Sequence, residues 1–388
     1  METRKAVLDR VRTVVVKVGT AVLADSRGRL SAQRIRSLAG EVAALRERGR
    51  RVVLVSSGAI AAGMGELGLE RRPQSLPQLQ AAAAVGQGQL MRAYDEALKA
   101  SGLAAGQVLL TRDDFDDRLR YLNARNTLFQ LLALGVIPVV NENDTTSVEE
   151  ITFGENDFLS AQVTNLLRAE LLVILTVVDG LRRPTADGRL GERIDVVEEV
   201  SEDVLALVSE ERTELGRGGM KSKLLAAHMA TQAGEAVVIA DGTRPGALAA
   251  LFAGESVGTL LLPSAKPMTS RKRWIGFGVR PRGLVRVDAG ARRALVERGK
   301  SLLPSGVIAV EGRFERGDVV ELTGEDGPVF ARGLANYSAE EVGKLRGLKT
   351  TQIAKVLGQK PYDEVIHRDN LVILQRPSKA PRGRRPST

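Results

Sequence analysis

Six runs of valine, isoleucine and leucine recur along the first 260 residues, and they constrain the fold more than any other feature of the chain. They are Val14–Val18, "RVVLVS" from Arg51, "GQVLL" from Gly106, "GVIPVV" from Gly135, "LLVILTVV" from Leu171 and "AVVIA" from Ala236. Strands this continuously apolar are buried on both faces, which is the condition of a parallel sheet covered by helices. Helical patterns lie between them. "SAQRIRSLAGEVAALRERG" has Ser31 placed to cap its start and Gly49 to end it. An alanine-rich helix follows over 79–100, and "YLNARNTLFQLLAL" from Tyr121 is another. The alternation predicts an α/β protein: a three-layer αβα sandwich with a mainly parallel central sheet.

Lys17 interrupts the first run. A buried ammonium is costly unless an anion pairs with it, so this lysine requires a partner. In open α/β sheets ligands bind beyond the carboxyl ends of the strands, and the segments found there are polar or glycine-rich. "KVGT" ends the first strand, "SSGAIAAG" the second, and "NENDTTS" and "TVVDG" two later ones, while "GRGGMKSK" opens a helix. In that last segment Gly218 and Gly219 precede an amphipathic helix, where backbone N–H groups and the helix dipole favour phosphate, and Lys223 lies one turn in. The competing reading is an ordinary helix start with surface lysines. No Walker A loop is present. "NENDTTSVEEITFGENDFLSAQ" carries Asn143, Asp144, Asn156 and Asp157. These suit a polar substrate, the orientation of lysines or a hydrated Mg²⁺, or else Asx turns with Asp157 as an N-cap. Two lysines with a carboxylate between them would clamp a phosphoryl group in transfer, which needs positioning and charge neutralisation more than covalent help.

Composition narrows the classes further. The chain has no cysteine, and its only histidines are His228 and His367, so thiolate and histidine-rich metal centres are excluded and any metal is held by oxygen ligands. With no long apolar run and a charged N-terminus "METRKAVLDRVR", the expectation is a cytoplasmic protein without a membrane span. Charge is uneven: residues 270–388 hold 24 basic against 13 acidic side chains, a net of +11, whereas residues 1–269 sum to −2. The stretch 261–283, with two of its prolines close to the only tryptophan and a basic run, reads as a junction. Beyond it, short strands with glycine turns and one helix at 289–298 predict a small β-barrel-like domain. The expected division is 1–265, a linker over 266–281, a small domain over 282–366, and a C-terminal extension over 367–388 with a basic, disordered tail.

The segments "VVVKVGTAVL", "VVLVSSGAIAAGMGELG", "AAAAVGQGQLM", "LLTRDDFDDRLRYLNARNTL", "IPVVNENDTTS", "FGENDFLSA", "GRGGMKSKLLAA" and "RKRWIGF" together resemble the amino acid kinase superfamily. Within it they are most similar to the bacterial glutamate 5-kinases, and the C-terminal part resembles a PUA domain. The resemblance implies ATP-dependent phosphorylation of the γ-carboxylate of L-glutamate, the first step of proline synthesis, with feedback inhibition by proline. It implies Lys17, Lys223 and Asp157 as catalytic, and Ser57, Gly58, Asp144 and Asn156 as glutamate contacts. It implies an ATP site from Lys17, Gly19, Thr176, Val177, Arg217, Gly218, Gly219, Met220, Lys221, Ser222 and Lys223. Mg²⁺ is expected on the nucleotide rather than in a protein metal site, and a homo-oligomer is expected. Two positions depart from the family pattern. Val177 stands where an aspartate is usual, with Asp179 nearby as a substitute, and Arg217 stands where a threonine is usual. The alternatives are another kinase of the superfamily, or an RNA-binding regulatory protein acting through its basic C-terminal part. Sparse aromatics there (Phe314, Phe330, Tyr337 and Tyr362) weigh against nucleic acid as a partner.

Overall fold

The valine run becomes the middle of a large sheet. A computed structural model describes residues 4–25, 28–146, 155–185, 189–208, 219–265, 268–325 and 327–374. The chain divides into two compact units, Met1–Val200 with Leu205–Pro267, and Ser201–Val204 with Met268–Thr388.

The first unit is built on β1 (Thr13–Val18), β2 (Arg51–Ser56), β3 (Ala105–Leu110), β4 (Ile137–Glu142) and β5 (Leu171–Thr176). A hairpin of β6 (Arg182–Pro184) and β7 (Leu190–Arg193) follows, then β8 (Val196–Val197), β9 (Ala236–Asp241) and β10 (Thr259–Leu261). Eight of these form one sheet in the order β3-β4-β2-β1-β5-β9-β10-β8, and the hairpin stands apart. All pairings from β3 to β9 are parallel, and β10 alone turns antiparallel against β9. Strand order reverses at β1: β2, β4 and β3 spread to one side, β5 and β9 to the other. A crevice opens beyond the carboxyl ends at such a point, and Lys17 sits at that end of β1.

The helices bearing on the site are α1 (Ala32–Glu47), α2 (Ala59–Glu66), α3 (Leu76–Lys99), α4 (Arg118–Ala133), α5 (Glu155–Leu167) and α6 (Met220–Ala233). Ser31 caps α1 as expected, accepting a hydrogen bond from the Arg34 N–H. Side chains alternate across a strand. Val14, Val16 and Val18 join a core with Ile35 and Leu38 of α1 and Leu79, Leu90 and Tyr94 of α3. Val15 and Lys17 therefore face the opposite way, where α5 lies along β1, β4 and β5 and α6 along β9. This gives the three layers.

Helices α2 and α3 meet backbone to backbone. A Cβ added at Gly63 would lie 1.8 Å from the Ala82 carbonyl oxygen, and one at Gly86 would lie 1.8 Å from that of Ala59. Only glycine permits this approach.

The second unit has its own sheet of β11 (Gly283–Val287), β12 (Val307–Gly312), β13 (Val319–Thr323), β14 (Val329–Leu334) and β15 (Leu371–Ile373), ordered β12-β11-β13-β14-β15. A helix α7 (Ala289–Arg298) is capped by Asp288, and α8 (Ala339–Leu345) starts in a reciprocal Ser338–Glu341 capping box. Phe330, Tyr337, Leu295, Leu322 and Leu345 fill a core made only of this unit's residues. The stretch read as a linker is partly ordered here: Ser270–Arg273 is helical and Trp274–Gly278 forms a π-helical turn, with Ile275 buried against Val319 and Val372. The stretch assigned to the C-terminal extension supplies β15, paired antiparallel to β14. Residues 375–388, which hold the basic tail, lie outside the described residues.

Candidate active site

The partner that Lys17 requires is Asp157. Because β1 turns this side chain toward α5, the Lys17 Nζ lies 2.9 Å from Asp157 Oδ1. The other carboxylate oxygen, Oδ2, receives the Lys223 Nζ at 3.3 Å and a hydrogen bond from the Ser222 hydroxyl at 2.7 Å. Asp157 is fully buried, and the two lysines are 7% and 5% exposed. Burial by itself pushes the Asp157 carboxyl upward. Lys17 first, then Lys223, together with hydrogen bonds from Lys17 and Ser222, outweigh it and hold the pKa below the usual carboxylate range. The Lys223 ammonium is driven downward, by burial first and by Lys17, with Asp157 opposing. The cluster holds two cations on one anion, so its net charge is positive and suits an anionic ligand. Asp157 is not an N-cap: it lies inside α5, which begins at Glu155.

The helix bearing Lys223 begins as the glycine-rich segment predicts. Gly219 is its N-cap, no side chain caps it, and the Gly219 carbonyl accepts a hydrogen bond from Ser222. Met220 is half-buried and Lys221 exposed. Arg217 and Gly218 lie outside the described residues. Gly19 donates its N–H to the Leu175 carbonyl at 3.2 Å, and a Cβ there would stand 3.6 Å from the Lys17 Nζ. Thr176 ends β5, and its carbonyl accepts from the Gly242 N–H. Val177 and Val178 follow with 46% and 38% exposure, an apolar surface directly after the strand that pairs with β1. Asp179 does not replace the missing aspartate: both of its oxygens are held by Arg182 at 3.0 and 2.7 Å.

On the β2 side, Gly58 begins α2 with φ of +115°, a left-handed conformation suited to glycine. Asn156, next to Asp157, donates from Nδ2 to the Ser57 hydroxyl at 2.9 Å and to Asn141 Oδ1 at 3.0 Å. Asn141 in turn donates to Gln87 Oε1 on α3 at 2.8 Å. Asp144 follows β4, and desolvation raises its carboxyl to about 6 against the opposing charge of Arg72. The structure thus gathers Lys17, Asp157, Ser222 and Lys223 into one cluster and Ser57 and Asn156 into a second one beside it. Sequence reasoning missed Asn141 and Gln87. Asn141 opens the same "NEND" as Asp144, whereas Gln87 stands in "AAAAVGQGQLM", whose only evident signal is alanine and glycine.

The amino acid kinase family matches residues 12–241, more than half of the chain. The chain belongs to the amino acid kinase family. It is a kinase, and its second unit carries a PUA domain, matched over residues 283–357. A glutamate 5-kinase of Syntrophus aciditrophicus is 48% identical to this kinase over 97% of both chains. One of Geobacter metallireducens is 50% identical over 96% of this chain and 100% of that one. Among solved structures, carbamate kinase from Giardia lamblia bound to AMP-PNP covers 66% of this chain and 100% of that one, at 18% identity and a TM-score of 0.47.

Proposed function

We propose that this kinase transfers the γ-phosphoryl group of ATP to the γ-carboxylate of L-glutamate. The observation that carries the reading is the buried Lys17–Asp157–Lys223 cluster at the strand-order reversal, in a chain whose relatives are named glutamate 5-kinase. The acceptor carboxylate is already an anion, so the transfer needs no general base. The γ-carboxylate attacks phosphorus as the bond to the ADP oxygen breaks, and the two electrons of that bond leave with ADP. Lys17 and Lys223 neutralise charge on the phosphoryl oxygens, while Asp157 and Ser222 keep both lysines aimed without neutralising the pair. Glutamate's α-amino acid head is held by Ser57, Gly58, Asp144 and Asn156. ATP lies along Gly19, Thr176, Val177 and the segment Arg217–Lys223.

Mg²⁺ enters with the nucleotide. Among the described residues no group of three or more acidic or histidine side chains is placed to hold a metal, and both Asp157 oxygens are engaged by lysines. Phosphate oxygens would supply most of its ligands, and the ion would add further neutralisation of phosphate charge.

The product is an acyl phosphate committed to proline synthesis. Proline, sharing the α-amino acid head, inhibits at or overlapping the glutamate subsite. A cytoplasmic homo-oligomer completes the reading, with a kinase domain ending near 265 and the PUA domain following 281. Among the described helices none is long and apolar enough to cross a membrane. The aromatics that a base-stacking surface would use are committed elsewhere: Phe314, Phe330 and Tyr337 are buried in the core, and Tyr362 is covered by Arg316. That favours the enzyme over an RNA-binding role. The test is ADP release with ATP and Mg²⁺ against a panel of glutamate, aspartate, acetylglutamate and UMP. Glutamate-dependent release is expected, and release with another acceptor but not glutamate would overturn the reading.

A further inference from the structure

Three side-chain amides form a relay that ends outside the site, on α3. An amide has one donor end and one acceptor end, so a chain of amides has a direction. Gln87 Oε1 accepts from Asn141 Nδ2 at 2.8 Å, and Asn141 Oδ1 accepts from Asn156 Nδ2 at 3.0 Å. With its Nδ2 committed to Asn141 and to Ser57, Asn156 keeps Oδ1 free. That oxygen is buried with no hydrogen-bond partner among the described residues, and so is Gln87 Nε2 at the other end of the relay. An acceptor left open on the residue that holds Ser57 fits the ammonium of an amino acid. Turning the relay around would present Asn156 Nδ2 instead, a donor facing a cation.

We propose that Gln87 is a positioning residue for the acceptor substrate: through Asn141 it fixes the amide sense of Asn156, so that Oδ1 faces the substrate's ammonium group. This rests on the amino acid reading of the subsite given above. The position of Gln87 is itself fixed. It follows Gly86, where α3 touches the backbone of α2, whose start at Gly58 borders the same subsite. Tyr94, two turns further along the same face of α3, shares a buried 2.9 Å hydrogen bond with Ser56, the residue before Ser57. Helix α3 thus reaches residues beside the subsite at two points, Asn141 and Ser56.

The test is steady-state kinetics of the full chain with Gln87→Met, Gln87→Glu and Asn141→Ala, and the Gln87→Met/Asn141→Ala pair. Gln87→Met removes the acceptor that orients Asn141, so KM for glutamate should rise about tenfold, the worth of one hydrogen bond. Its kcat and KM for ATP should stay near wild type. Gln87→Glu can only accept, which preserves the observed sense, so it should return KM to within about threefold of wild type. If Gln87 acts through Asn141, the double variant should be no worse than Asn141→Ala alone. An unchanged KM in Gln87→Met would overturn the proposal. So would additive effects in the double variant, or KM for ATP rising in step with a fallen Tm, the mark of a merely structural role. Should the wild type use a different acceptor, the glutamate reading fails while the same ratios, read on that acceptor, still decide the role of Gln87.

Discussion

Asp144, in the binding role proposed for it, would serve the substrate at the expense of stability. Its carboxyl is raised from 3.8 to about 6 by desolvation. Since the folded pKa exceeds the unfolded one, the folded state binds more protons between these values, and stability falls as pH rises through about 6. Keeping Asp144 ionised at neutral pH costs the fold about 3 kcal/mol. Asp144→Asn should therefore raise Tm at pH 7.5 in the empty enzyme, and calorimetry would read it. Binding has the opposite sign. If Asp144 pairs with the substrate's ammonium as proposed, the carboxylate that does so exists above about pH 6, and KM for glutamate should climb as pH falls through that value. In Asp144→Asn that inflection should vanish, KM for glutamate should be high throughout, KM for ATP should hold and proline inhibition should weaken. At this scale much was legible. A lysine in a valine strand demanded an anion, and the polar residues around 157 and 223 supplied it. What the sequence hid was partnership: Asp179 looked available until Arg182 was seen to hold it, and nothing in Gln87's alanine-rich surroundings marks it as the end of an amide relay.

At the scale of elements, the close contact of α2 with α3 makes a paired prediction. Gly86→Ala drives a Cβ into the Ala59 carbonyl, and backbone cannot step aside as a side chain can. The loss should be about 3 kcal/mol, at the upper end of overpacking effects, with KM for glutamate rising as Gly58 and Gln87 shift. Gly88→Ala, two residues on in the same helix, meets nothing within 4 Å. It should leave kinetics alone and stabilise by up to about 1 kcal/mol through helix propensity. Urea unfolding of the two variants distinguishes contact from propensity. Strands and helices themselves were readable from periodicity, because burial on both faces leaves no other composition for β1, β2 and β5. The glycine contact was not readable, since a glycine inside a helical pattern looks the same whether it faces solvent or a neighbouring backbone.

For the whole molecule, the two cores are made separately: the main cluster of the first unit uses fully buried residues no later than Leu260, and that of the second unit none before Val285. Every residue of the phosphoryl and acceptor clusters lies in the first. A chain of residues 1–267 should unfold cooperatively and keep glutamate turnover within about threefold, as an independent domain does. A folded truncation without turnover would assign part of the active site to the PUA domain. The charge asymmetry announced two parts from composition alone. The ordered turn at 270–278 and the strand at 371–373 were less visible, since a π-helical turn has no periodic signal and three residues are too few to show one.

On the proposed function, the buried lysines act on the phosphoryl group in flight rather than on the fold or the acceptor. The most direct measurement is glutamate-dependent ADP release by Lys17→Met beside the wild type, at saturating ATP and Mg²⁺, with Tm recorded for both. The predicted result is a fall in kcat of about 10²–10³, as for loss of one charge-stabilising donor, with KM for glutamate little changed. A folded Lys17→Met enzyme turning over near the wild-type rate would contradict it.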